Sequence, residues 1–572
     1  MVENGARAQR RRVAVPLLLC LVVLGPLIGC VGMPSPVPST PPTPVALVSR
    51  TLQPGAFLTV IDDADPVANA LAVSAALFDR AELVLTAPAG DADAQLLAGS
   101  AAVALGVPLL VTSRESAALD RELTRLGAST VLSIGGTGLE KTKSADARTQ
   151  LWVPATIAAV TAVLPRPLPG SQVVGTNGLA RLATLDANTG TLLTPASATT
   201  GARSSTSSAT RDPVAMTDTL PRVTRPRGLS DVLVLATDAP AQLAGVATAR
   251  AAGAAVVLVP IDQPNPQASA ELVSEIRASA ATTVLALGQP FATQTSLEWK
   301  IRSTLTGTQL PGGGQTLFPG RLLVALYGTP GAPVLGVLGE QGLPETIARA
   351  QQTAAAYAPH TAQTVVPMHE IIATVAAADA GSDGNYSNEI PADTLRPWVE
   401  AAGAAGQYVV LDLQPGRSDF LSQAVQYQSL LELPYVGLAL DPEWRLGPNQ
   451  RHLVQIGAVD VVEINAVIRW LAALTSEKVL PQKLLVLHQF RSSMITNRAL
   501  LDLSHPEIAP LIHVDGLGSQ PDKQATWSAL HKDAPAGVAW GWKNFYDEDT
   551  PTLSPEQTMS QVVPEPDLVT YQ

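Results

Sequence analysis

The sequence is poor in the residues that most often carry a mechanism. Of 572 residues only two are cysteine, Cys20 and Cys30, so everything after residue 30 is without a thiol. That excludes structural disulfides, thiolate-ligated zinc and a cysteine nucleophile from the rest of the chain. Aromatic residues make up 4% and are unevenly spread: Met1 to Gly320 holds six of them and no histidine, whereas Arg321 to Gln572 holds the other seventeen and all seven histidines. Site chemistry is therefore expected after Gly320. Basic residues are outnumbered, 37 Lys and Arg against 49 Asp and Glu for a net charge of −12, which argues against a nucleic-acid partner. There is no His-Glu-x-x-His zinc helix, no G-x-S-x-G nucleophile elbow, no Walker phosphate loop and no G-x-G-x-x-G dinucleotide loop. No cofactor is expected. What is abundant is apolar residue, 46% of the chain, which supplies real cores in spite of 47 Pro and 43 Gly and excludes a disordered or collagen-like protein. The length suits about three or four domains.

Arg7, Arg10, Arg11 and Arg12 precede an apolar run from Val13 to Gly29 that is short for a spanning helix and contains Pro16 and Pro26. This is the charged and hydrophobic pattern of a secretory signal, here residues 1–29. The tetrapeptide Leu27-Ile28-Gly29-Cys30 resembles the lipobox of bacterial lipoproteins. That resemblance implies lipidation of Cys30, which becomes the mature N-terminus, and a membrane partner through the lipid anchor. Residues 30–50 form the anchor and its linker, in which Met33 to Val45 (MPSPVPSTPPTPV) favours a semi-rigid polyproline spacer. Removing residues 1–29 takes away four Arg and one Glu, which moves the net charge from −12 to −15.

From Phe57 to Gly136 short apolar runs alternate with helical stretches of small residues. Pro66 to Phe78 reads as a helix with Asp65 as N-cap and Pro66 at its first position. Glu82 to Thr86, Pro108 to Thr112 and Thr130 to Gly136 read as strands, with helices over Ala94 to Leu105 and Glu115 to Leu126 between them. Strands separated in this way imply right-handed crossovers and a parallel sheet. The same order recurs in Asp231 to Ala236, Ala241 to Ala252, Ala255 to Val259, Ala268 to Ala278 and Thr282 to Gly288. The helices even open alike, Ala-Gln-Leu-Leu-Ala-Gly at Ala94 and Ala-Gln-Leu-Ala-Gly at Ala241, so a duplication is expected. The run Asp91 to Thr112 (DADAQLLAGSAAVALGVPLLVT), followed by Thr130 to Gly136 (TVLSIGG), resembles the type-two cell-wall-binding repeat of Gram-positive surface proteins. The second copy has Gly288-Gln289 where the first has Gly135-Gly136, and there is no third. The resemblance implies a cell-wall polysaccharide or anionic wall polymer as partner. The expected units are residues 51–164 and 229–310, with a mobile Ser/Thr/Pro-rich loop over 165–228 between them.

Residues 321–572 read differently. Apolar runs end in polar residues: Leu322 to Tyr327; Thr364 to Met368 before His369-Glu370; Tyr408 to Leu411 before Asp412-Leu413-Gln414; Tyr435 to Leu440 before Asp441-Pro442-Glu443-Trp444; Leu484 to Leu487 before His488-Gln489; Leu511 to Val514 before Asp515; and Gly537 to Ala539 before Trp540. Seven strands with polar carboxyl ends and intervening helices are the arithmetic of a (β/α)-barrel, with the eighth strand not evident: missing, irregular or hidden near Gly457. The fold class expected is therefore α/β: two parallel three-layer repeat units followed by a (β/α)-barrel-like domain.

In such a barrel the strand ends converge on one mouth. Asp412, Asp441, Glu443 and Glu370 are the candidate acids, bases or nucleophiles, and Tyr327, His369, Gln414, Trp444, His488, Gln489, Asp515 and Trp540 the candidate substrate contacts. Paired carboxylates with aromatic walls suit sugars: one acid protonates the leaving oxygen while another attacks or activates water. Asp441 and Glu443 equally suit capping of the following turn, and Asp412 the orientation of a backbone amide. A mixed metal site from His369, Asp412, Asp441 and His488 is the minor reading, and none is expected. The region resembles a distant glycoside-hydrolase barrel, with Asp412-Leu-Gln414 and Asp441-Pro-Glu443 similar to the strand-end acids of muramidase-like enzymes. The function expected is a surface lipoprotein of the cell envelope that binds wall polymer and hydrolyses a glycan. The alternative is a non-catalytic glycan-binding or scaffolding lipoprotein.

Overall fold

The computed structural model describes residues 46–113, 117–135, 148–196 and 219–572. The signal-like segment, Cys30 and the proline-rich spacer lie outside the described residues. No helix among the described residues is long and apolar enough to cross a membrane.

The first unit is a four-stranded, all-parallel sheet in the order Leu109–Thr112, Leu83–Pro88, Thr130–Ile134, Thr149–Val153. The second is also four-stranded and parallel, in the order Ala255–Val259, Val232–Thr237, Thr283–Leu287, Leu58–Ile61. The last of these strands precedes the first unit in sequence, so the chain contributes to the second sheet before it builds the first. Helix Pro66–Leu77 follows it, with the Asp65 side chain accepting from the amides of Val67 and Ala68, as its sequence dictates.

The near-identical helix openings have a packing reason. Helix Ala92–Leu105 is buried on almost every side, because it lies between its own sheet and helix Leu243–Ala251 of the second unit. A side chain at Gly99 would bring its Cβ to 3.0 Å from Ala247 Cβ, and one at Gly245 to 2.6 Å from Asn69 Oδ1. Glycine at 99 lets this pair of helices approach closely, and glycine at 245 does the same for helix Pro66–Leu77. The two units share one hydrophobic core, and Thr248 of one bonds both the amide and the carbonyl of Leu109 in the other, at 3.1 Å.

Between the units, within the span 165–228 expected to be a mobile loop, part of the chain forms regular structure. Gly170–Val174 and Thr191–Pro195 pair in parallel around helix Gly178–Ala183, and Leu182, Leu192 and Leu193 are buried in the shared core. These apolar residues sit within a Thr-, Gly- and Asn-rich composition that masks them. The serine-rich residues 197–218 lie outside the described residues.

Residues from 321 form a closed barrel of eight parallel strands: β1 Arg321–Gly328, β2 Thr364–Ala376, β3 Tyr408–Leu413, β4 Val436–Leu440, β5 Lys483–His488, β6 Ile508–Val514, β7 Ala539–Asn544 and β8 Leu568–Tyr571. Strand β1 pairs with both β2 and β8, which closes the ring. The eighth strand is thus not near Gly457 but follows the short helix Pro555–Gln561. A Pro-rich stretch before it (VVPEPD) and its four-residue length hide it from a periodicity search.

Alternation along each strand sorts the side chains. Leu323, Ala325, Val366, Met368, Tyr408, Val410, Ala439, Leu484, Val486, Leu511 and Leu568 fill the barrel, whereas Leu322, Val324, Leu326, Val409, Leu411, Leu438 and Leu485 pack outward with the helices. The interior is apolar at its base and changes character toward the strand carboxyl ends.

Candidate active site at the barrel mouth

The interior positions that continue the apolar layers upward are Tyr327, Glu370, Asp412, Asp441, His488, His513, Lys543 and Thr570, all buried. Each sits two residues beyond an inward-facing apolar or glycine position of its own strand, so the alternation that buries the core also aims these polar groups at the axis.

They are held by one another. Tyr327 Oη donates to Asp412 Oδ2 at 2.9 Å and receives Gln414 Nε2 at 3.3 Å. His488 bridges two carboxylates, Nδ1 to Asp515 Oδ2 at 3.0 Å and Nε2 to Glu370 Oε1 at 2.8 Å, with Asp412 Oδ1 3.8 Å away. His513 Nε2 lies 2.9 Å from Thr570 Oγ1. Its ring has room because position 541 is glycine: a Cβ there would stand 2.7 Å from His513 Cδ2. The Lys543 ammonium sits 3.6 Å from the centre of the Tyr327 ring. Glu370 Oε2, Asp412 Oδ1, Asp515 Oδ1 and His513 Nδ1 are buried without a hydrogen-bond partner.

Burial and mutual repulsion decide the protonation of this layer. Burial pushes Asp441 well above the usual carboxylate range, assisted by the charges of Asp412, Asp515 and Glu443 against the opposing pull of His488. Burial raises Asp412 to about 6, against the opposing pull of His488. Burial raises Glu443 to about 7, with the charge of Asp515 acting in the same direction. For Asp515 burial is overcome by the hydrogen bond and charge of His488, so its carboxyl lies below the usual range. His488 itself is driven well above its ordinary value, burial being outweighed by Glu370, Asp515 and Asp412.

Above the layer opens a cavity of about 580 Å³. Glu443, Asp441, Asp515, Tyr327, Gln414, Lys543 and Trp444 line it, with Phe490, Arg491 and Phe545 at its sides. Asp441 does cap the turn Pro442–Trp444, its Oδ1 accepting from the Glu443 amide at 3.1 Å. That cap turns the half-buried Glu443 side chain toward the cavity while holding Asp441 below it.

The structure therefore brings together Tyr327, Glu370, Asp412, Gln414, Asp441, Glu443, Trp444, His488 and Asp515, and leaves three candidates elsewhere. Strand β2 runs on to Ala376 instead of stopping at Met368, so alternation still governs His369: Met368 and Glu370 face in and His369 faces out, where burial lowers it to about 4. Strand β7 covers Ala539–Asn544, so Trp540 and Trp542 both point outward against Trp527, and His531 stacks on Trp540 at 3.6 Å. Gln489 is buried beside the mouth as a structural link, accepting from Arg498 Nη1 at 2.8 Å and donating to the Arg491 carbonyl at 3.0 Å. The mixed metal set proposed from sequence fails with His369. Sequence reasoning passed over His513, Lys543 and Thr570, although His513 and Lys543 follow the inward parity of their strands.

No family model matches the chain, and no curated protein sequence matches it. Among solved structures, Cwp8 from Clostridium difficile is similar over 44% of this chain and 52% of its own, at 14% identity and a TM-score of 0.31. Cwp6 from Clostridium difficile is similar over 57% of this chain and 64% of its own, at 12% identity and a TM-score of 0.33. The chain thus spans between half and two thirds of the length of these two structures.

Proposed function

We propose that the barrel mouth hydrolyses a glycosidic bond in a cell-envelope glycan, with Glu443 as the proton donor and Asp515 as the carboxylate that attacks or activates water. The observation that carries this reading is that Glu443, poised at about 7, and Asp515 line one open cavity together with Trp444 and Lys543. A glycosidic oxygen leaves as an alcohol only if protonated, and an acid that keeps its proton near neutrality supplies it. Asp515 has one oxygen tied to His488 and the other without a partner. Trp444 and the side-wall phenylalanines offer apolar faces to pyranose C–H surfaces, and Gln414 and Arg491 offer donors to hydroxyls.

In this reading the chain is an exported lipoprotein anchored through Cys30, with the proline-rich segment as spacer and the N-terminal units attaching to wall polymer. The lipobox-like tetrapeptide and the repeat-like strings support that part. The full chain, purified in detergent, is expected to release reducing ends from purified wall glycan. Glu443→Gln should lower that rate by about 10²-fold or more. Retained pull-down on the glycan without any release of reducing ends by the wild type would establish a binding module instead. A Cys30→Ala variant that stays membrane-bound would remove lipidation from the proposal.

A further inference from the structure

Beneath the cavity, the barrel holds a cluster that the proton-transfer reading does not use. Ligand-capable atoms of Glu370, His488 and His513 lie within 4.8 Å of one another, and all three residues are fully buried. His488 bonds a carboxylate through each ring nitrogen, Nδ1 to Asp515 at 3.0 Å and Nε2 to Glu370 at 2.8 Å, and His513 Nε2 lies 2.9 Å from Thr570 Oγ1. A carboxylate or hydroxyl on one nitrogen fixes the ring in the way that orients metal-binding imidazoles, and at His488 an ion would take the place of the Nε2 hydrogen bond to Glu370. His488 Nε2 then faces Glu370 Oε1 at 2.8 Å and Asp412 Oδ1 at 3.8 Å.

The surrounding atoms are of the same kind. Glu370 Oε2, Asp412 Oδ1 and His513 Nδ1 are buried and have no hydrogen-bond partner. Unpaired lone pairs in a buried site are costly, and a cation bound among them would relieve that cost. Lys543 is committed to the Tyr327 ring at 3.6 Å.

We propose that Glu370, His488 and His513, with Asp412 as fourth ligand, hold a divalent cation of the zinc class beneath the mouth. Two imidazoles and two carboxylates suit a borderline transition metal better than calcium or magnesium, which prefer an all-oxygen shell. The ion ties together β2, β3, β5 and β6, and Asp515 is its positioning residue, acting through His488. The inference does not depend on the hydrolytic reading, because every readout below is made without substrate.

The test uses the full chain, carrying no histidine tag, purified in detergent. Its metal content is measured by mass spectrometry, and after chelation it is titrated with Zn²⁺ and, for comparison, Mg²⁺ by calorimetry. One equivalent of Zn²⁺ is expected, with Mg²⁺ at least 100-fold weaker. His488→Ala and His513→Ala should weaken Zn²⁺ by more than 100-fold, Glu370→Gln by tenfold or more, and Asp515→Asn by 10–100-fold. The exposed-site control His360→Ala should change nothing. X-ray absorption at the zinc edge of the wild type should report two imidazoles, a readout that needs no variant to fold. Absence of binding by the wild type, or a bound ion without imidazole ligands, overturns the proposal and leaves a protonated His488 bridging the carboxylates.

Discussion

A carboxyl at the edge of a buried acid cluster ionises late, because burial opposes its charge and a neighbouring carboxylate opposes it again. Glu443 is in that position, at about 7. In the proposed hydrolysis, its contribution as an acid is present below that value and lost as pH rises through it. The rate of reducing-end release should therefore fall above about pH 7, while Glu443→Gln should give a low profile without that limb; an unchanged alkaline limb in the variant would dismiss Glu443 as the donor. At the opposite end of the barrel, Lys483 is fully buried, donates only to the Leu433 carbonyl, and is lowered to about 7 by burial. Unfolded, it would titrate near 10.5, so between those values the unfolded chain binds more protons and stability rises with pH. Lys483→Met removes the burial of a charge at acid pH. It should raise the melting temperature by several degrees at pH 6 and by less at pH 9, measured by thermal unfolding. The residues themselves were legible to the extent that strand ends were. Asp412, Asp441 and His488 stood out because each follows an apolar run, whereas His369 and Trp540 were misplaced because their strands run further than the apolar run does. Within a strand parity outranks proximity to its end, and parity excludes both.

At the scale of elements, the unit-to-unit contact depends on what two helices leave out. Gly99 and Gly245 occupy equivalent places in the repeated strings, and each faces a neighbouring helix at a distance a side chain would close, Gly99 that of Ala247 and Gly245 that of Asn69. Gly99→Leu should destabilise the N-terminal units by ~1–3 kcal/mol, because the helices cannot part without opening a shared core. Gly90→Ala, with open space around it, should be neutral in the same thermal unfolding measurement. The repeat was readable from order and spacing, since buried parallel strands and capped helices carry local signals. What sequence could not reveal was partner choice. Leu58–Ile61 reads as an ordinary strand before the first unit, yet it pairs with Thr283–Leu287 of the second. Hydrogen bonding between strands leaves no mark on composition, so an edge strand can be given to the wrong sheet without violating any pattern.

For the molecule as a whole, that exchange makes the two units one folding body. Replacing Leu58–Ile61 with a Gly-Ser stretch should strip hydrogen-exchange protection from Thr283–Leu287 and leave Leu83–Pro88 protected. Loss confined to Leu83–Pro88 would contradict the pairing. The barrel is built on a second long-range contact. Its ring is closed by β8, the last of the eight strands to be made, and the same strand carries the Thr570 hydroxyl that holds His513. During synthesis, seven strands therefore wait with two bare edges, on β1 and β7, until Tyr571 has emerged. A chain arrested before β8 would be an open sheet with unpaired edges and an unassembled mouth, prone to associate with its neighbours. Arrival of β8 is thus itself the event that closes the ring and assembles its mouth.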